Sequence, residues 1–126
     1  MSDAPQAPVT ALLAEHCRGM RFETLPGEVI FSARQCLLDW LGVTLAGAGD
    51  PLSRMLREDA LADGGSPQAT LIGSGERVTA KQAALVNGAA SHALDYDDVV
   101  LAMSGHPSVP VWPALLALAE WRGGSA

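Results

Sequence analysis

The chain is short of positive charge. Seven Arg and a single Lys, Lys81, stand against fourteen acidic residues, leaving a formal net charge of −6. No basic stripe is available to follow a phosphate backbone, so nucleic acid is not an expected partner. The same shortage bears on small ligands, because a site for a di- or tricarboxylate needs cations to hold it. Cysteine is scarce too. Cys17 and Cys36 are too few for a disulfide scaffold and lack metal-motif spacing; their apolar neighbours predict buried free thiols. Long uninterrupted apolar runs are missing. The longest such segment, 29–46, carries Arg34 and Asp39 near its middle and is a poor membrane span. Residues 1–8 have neither a basic nor an apolar signal region and are expected to form a disordered tail. These absences together predict a soluble, cytoplasmic protein.

What is present suits packed helices. Apolar residues make up 48% and charged residues 17%, enough for a core and too apolar for disorder. Only 5% are aromatic, whereas Ala and Gly abound, so helix axes can approach closely across small side chains. The length allows one domain or part of a larger one.

Val9 to Arg18 reads as a short helix ended by Gly19, with Leu12, Leu13 and His16 near one face. His16 sits where a helix C-terminus favours it. A second helix starts near Pro26 and ends at Gly47-Ala48-Gly49. Glu28, Ser32, Gln35, Asp39 and Gly42 draw one narrow polar stripe on it, which predicts a mostly buried helix. Asp50-Pro51 then caps a third helix to about Asp63, with Leu52, Met55 and Leu56 facing inward. Ala69–Ile72 and Arg77-Val78 flank Gly73-Ser74-Gly75-Glu76, the pattern of a small hairpin. A phosphate-binding loop is the alternative, although both the Walker and the GxGxxG patterns are missing. Thr79 and Gln82 form a capping-box pair that opens a fourth helix to roughly Leu94. Its residues are so small that a neighbour must press close against it. Pro110 and Pro113 mark the start of a fifth helix with Trp112, Leu115, Leu116 and Ala119 inward, closed at Arg122-Gly123-Gly124. The predicted fold is all-α, about five helices with one short β-hairpin near 69–78, and residues 9–126 read as an incomplete helical domain.

Proton-carrying groups gather where the helical pattern breaks, in His92-Ala93-Leu94-Asp95-Tyr96-Asp97-Asp98 and Gly105-His106-Pro107-Ser108. Three readings compete. Asp95, Asp97 and Asp98 suit helix-ending turns and solvated charge. His92, Asp95, Asp97 and His106 offer nitrogen and oxygen metal ligands, at a spacing that matches no metal motif. A His beside a carboxylate has its orientation fixed and suits acid–base chemistry near neutral pH. On a helix running to Leu94, His92 and Asp95 share a face at i and i+3. Ser104 and Ser108 lack a nucleophile-elbow context, which weakens an acyl-transfer reading.

The segment from Asn87 to Asp98 resembles the signature of the MmgE/PrpD family, and the likeness continues from Gly105 to Glu120. Upstream, Ala33–Gly42 and Ala69–Gly75 are similar to the family as well. Members include 2-methylcitrate dehydratase, cis-aconitate decarboxylase and iminodisuccinate epimerase. The resemblance implies a helical domain, an α+β lid domain that closes over the site, a homodimer, and no metal or organic cofactor. It further implies a lyase or isomerase, 2-methylcitrate dehydratase-like, acting on small di- or tricarboxylates by proton transfer near a carboxylate. Residue by residue, it makes Asp95 and His106 the catalytic pair. His92, Asp97 and Asp98 match too; they are candidate substrate contacts or, in the reading we favour, organisers of the loop. Val99-Val100 stand where many members have Thr-His, so a polar substrate contact is missing. Family members are several times longer, so this segment is expected to be an N-terminal piece, inactive alone. A non-catalytic module that self-associates through Trp40, Trp112 and Leu115-Leu116 is the alternative, and a metal-dependent hydrolase a third.

Overall fold

The computed structural model describes residues 8–123. Among them are five α-helices, a single 3-10 turn and a two-stranded antiparallel sheet, the mostly-α architecture that the pattern predicts. Of the expected tail only Pro8 lies within the described residues; it accepts the first hydrogen bonds of α1 (Val9–Gly19) from Ala11 and Leu12.

The chain divides into two compact units, the first ending at Ala33 and the second beginning at Arg34. The first holds α1, the 3-10 turn Phe22–Thr24 and the opening turns of α2 (Gly27–Gly47). No residue of α1 is buried, and Cys17 is exposed. Its expected burial fails because, among the described residues, α1 buries none of its side chains. Cys36 is half-buried, and both thiols are free.

In the second unit, α2 buries Trp40, Val43, Thr44 and Gly47, a single stripe at helical spacing. The rest of its apolar surface is open: Leu38 is 72% exposed and Leu45 57%. The narrow polar stripe therefore overstates the burial, because α2 is apolar nearly all round and the described residues cover only one side. Helix α2 is long and apolar enough to cross a membrane by length and composition alone. Arg34 and Asp39 interrupt it, however, and its buried stripe packs within the domain.

Asp50 caps α3 (Pro51–Asp63), accepting from the Leu52 N–H at 2.8 Å. Ser53 and Ala60 are its buried residues, with Leu56 half-buried between them; the expected inward pair Leu52 and Met55 is exposed. The helix is turned one residue further because the Ser53 hydroxyl donates to the Gly47 carbonyl at 2.7 Å, satisfying the end of α2.

Strands β1 (Ala69–Thr70) and β2 (Arg77–Val78) pair antiparallel, with Ala69 opposite Val78. The amides of Ser74 and Gly75 turn back onto the Leu71 carbonyl. Two of the loop's N–H groups are thus spent on its own turn, which counts against the phosphate-loop alternative. Two side chains fasten the hairpin to helices. Asn87 of α4 (Ala80–His92) accepts from the Ile72 N–H and donates to the Thr70 carbonyl, each at 2.9 Å. Glu120 of α5 (Trp112–Arg122) accepts from the Thr70 amide, the Thr70 hydroxyl and Arg77. Asn87 is 3% exposed, so Asn87→Ala strands two backbone groups in the interior. We expect it to cost about 2–4 kcal/mol, read as a lower urea midpoint at unchanged slope.

The capping box of Thr79 and Gln82 opens α4 as predicted. Gly47 crosses it closely, since a Cβ there would overlap the Ala90 carbonyl oxygen. On its other side Pro113 sits 3.5 Å from where a Gly88 Cβ would be, which is the close neighbour that small residues require. That contact turns α5 so that Pro113 and Ala117 are buried; of the predicted inward face Trp112, Leu116 and Ala119 are half-buried, and Leu115 is 51% exposed. The core gathers Ala60, Leu71, Val78, Ala83, Val86 and Ala117 between helices and hairpin. Helices α4 and α5 thus pack closely against each other, and the 93–111 segment is strung between their ends.

Candidate active site

Helix α4 stops at His92, two residues earlier than its pattern suggests. Asp95 has φ +51, a left-handed conformation that Asp tolerates better than most residues. It therefore stands on a turn, and the shared helix face expected of His92 and Asp95 does not exist. The partner of His92 is Asp97: Nδ1 lies 2.9 Å from Oδ1. Nδ1 is thus the ring nitrogen of His92 that faces the carboxylate.

The loop then returns. Val100 and Gly105 form a β-bridge, the Val100 N–H donating to the Gly105 carbonyl at 3.0 Å. This places His106 back over the helix end. Its Nδ1 is 3.1 Å from the second oxygen of Asp97, Oδ2, although not aligned as a hydrogen bond. Its Nε2 is 4.0 Å from Asp95 Oδ1. The two imidazoles meet edge to face with centroids 4.8 Å apart. Asp98 fixes the far side of the loop, accepting from the Ser108 hydroxyl at 2.7 Å and the Ser108 N–H at 3.2 Å.

The predicted set thus converges, at three depths. The Asp97 side chain is 1% exposed, that of His106 30% and that of Asp95 81%. Asp95 and one edge of His106 face outward, Asp97 lies beneath both rings, and Asp98 is spent on Ser108. The spacing put Asp95 beside His92, whereas the fold puts Asp97 beside both rings and leaves Asp95 facing His106. Nothing in the spacing marks Asp97 as central, because its role depends on a loop that brings residue 106 back to residue 97. Ser108, weighed in the sequence only as a nucleophile, donates to a carboxylate.

The ligand atoms of His92, Asp95, Asp97 and His106 all lie within 4.8 Å of one another. Around a tetrahedral metal with bonds near 2.05 Å, neighbouring ligands stand about 3.3 Å apart. Two His–Asp contacts here are shorter, at 2.9 and 3.1 Å, and the third, His106 to Asp95, is longer at 4.0 Å. Among the described residues, no Lys or Arg pairs with these carboxylates.

The chain is thus a helical scaffold that presents a His–Asp cluster at the end of α4 and on the loop that follows it. The MmgE/PrpD N-terminal domain matches residues 11–126, and the chain belongs to that family. It is 31% identical over 113 residues to a cis-aconitate decarboxylase of Mus musculus, covering 89% of this chain and 23% of the relative. The Homo sapiens cis-aconitate decarboxylase is 30% identical with the same coverage. A cis-aconitate decarboxylase-like protein, oryM, of Aspergillus oryzae is 30% identical over 92% of the chain and 24% of its own length. The chain therefore spans about a quarter of the curated relatives it matches.

Proposed function

We propose that this segment supplies one wall of the active site of a cofactor-independent lyase acting on small di- or tricarboxylates, with Asp95 and His106 as its catalytic pair. The carrying observation is His106, whose Nδ1 lies 3.1 Å from buried Asp97 while Nε2 faces outward-lying Asp95 at 4.0 Å. In a decarboxylation the bond to the departing carboxylate breaks, its electron pair passes into the carbon skeleton, and a carbon takes up one proton. In a dehydration a C–H proton is removed and the hydroxyl leaves with a proton as water. Both need a fixed group that gives or takes a proton at carbon. His106 does this through Nε2, and Asp95 receives or returns the proton at its mouth.

The names of the relatives favour decarboxylation of cis-aconitate over dehydration of 2-methylcitrate. The cluster pairs with no Lys or Arg, so the cations that grip substrate carboxylates come from outside it, and the isolated chain is expected to be inactive. The assembled enzyme is then a soluble homodimer. The experiment is a chimaera in which residues 11–126 replace the matching N-terminal quarter of the mouse relative. Carbon dioxide release from cis-aconitate, with 2-methylcitrate as comparison substrate, should appear in the chimaera and be absent from the 126-residue chain. Turnover by the isolated chain would contradict the proposal.

A further inference from the structure

We infer that Asp97 is the positioning residue of this cluster, one buried carboxylate that fixes both His92 and His106 as Nδ1–H tautomers and leaves both Nε2 atoms free. Two roles follow that the signature does not separate: Asp97 touches no ligand, and His92 becomes a second proton-handling group beside His106.

The geometry supports this from three sides. First, Asp97 is 3% exposed, too deep to meet a substrate, and each of its oxygens faces a different imidazole at 2.9 and 3.1 Å. Second, Asp97 Oδ2 and His106 Nδ1 are both buried, and neither has a hydrogen-bond partner among the described residues. A small ring rotation aligns them with each other, and leaving both unsatisfied in the interior is costly. Third, the two nitrogens of an imidazole point away from each other. With Nδ1 drawn onto Asp97, the Nε2 atoms project from a carboxylate beneath towards the open side, where the His92 side chain is 49% exposed and Asp95 stands at 4.0 Å from His106. A carboxylate that sets an imidazole's tautomer acts through geometry and contributes far more to rate than to folding.

The tautomers rest on geometry alone; what the free Nε2 atoms do rests on the functional reading above. Long-range 1H–15N spectra of the 126-residue chain at alkaline pH, with both rings neutral, report which nitrogen of each ring is protonated. The expected result is Nδ1–H for both His92 and His106, against the Nε2–H preference of an unconstrained imidazole. Nε2–H on either ring would overturn the inference, and this wild-type spectrum decides it whether or not a variant folds. In Asp97→Asn one acceptor oxygen is replaced by an amide donor, so at least one ring should change tautomer. Asp97→Glu keeps two acceptors and should retain the wild-type pattern; a spectrum unchanged in Asp97→Asn would count against Asp97. In the chimaera, Asp97→Asn should lower kcat by about 10²–10⁴-fold with little change in KM. Correct tautomers with undiminished turnover would leave the positioning intact and sink the proton-transfer reading instead.

Discussion

His106→Ala in the assembled enzyme lowers kcat by about 10²–10⁴-fold, the range for removing a positioned general acid or base, while the protein stays folded. The effect should be on kcat, because the imidazole is proposed to act at the reacting carbon, whereas the substrate's carboxylates are gripped elsewhere. Asp95→Asn should act in the same direction. Asn is the informative replacement there: at φ +51 it tolerates the left-handed backbone almost as Asp does, and Ala would add strain that mimics a loss of chemistry. The Asp95 side chain is 81% exposed and its nearest ring nitrogen is 4.0 Å away, so the substitution leaves stability nearly untouched. Steady-state kinetics alongside thermal unfolding of each variant separates the two effects. Near-normal turnover in both variants removes the pair from catalysis.

Trp40→Ala is expected to cost about 3–5 kcal/mol, the largest stability loss of any single truncation among the described residues. Trp40 is fully buried, at 0% exposure, and is the largest such side chain. Small domains hold only about 5–15 kcal/mol in total, so the variant should be largely unfolded or nearly so at 37 °C. Trp40→Phe supplies the contrast. The indole Nε1 is buried with no hydrogen-bond partner, so Phe loses some volume but also removes an unsatisfied donor. Its cost should be well under half that of Ala. Urea midpoints for the three proteins check both statements, and equal losses for Phe and Ala would mean that Trp40 is held by something other than its bulk.

The helices, the hairpin and their order were legible in the sequence because caps, prolines and glycines act locally. Asp50-Pro51, the Thr79–Gln82 box and Gly123 each set an element's end by contacts within a few residues. Which face turned inward was less legible. The side chains on α5 differ little in hydrophobicity around the helix, and on both α3 and α5 a single contact set the final rotation: Ser53 on the end of α2, and Pro113 on Gly88. The buried length of α2 was overstated for a related reason, since polarity shows which side is wet and not how much partner surface is available.

For the site, the chain by itself determined the inventory. Two imidazoles and three carboxylates lie where a small-residue helix ends, and no other stretch offers comparable chemistry. Composition also determined that the cations for a carboxylate substrate are scarce. Only the tertiary structure decided the pairing. Helix α4 stops at His92 rather than Leu94, which takes Asp95 off the helix face, and the Val100–Gly105 bridge carries His106 back over Asp97. Hydrogen bonds depend on positions to within a few tenths of an ångström, and a loop closure ten residues long sets those positions through contacts that no local pattern encodes. The physical reason is that proximity in space, unlike proximity in sequence, is created by folding.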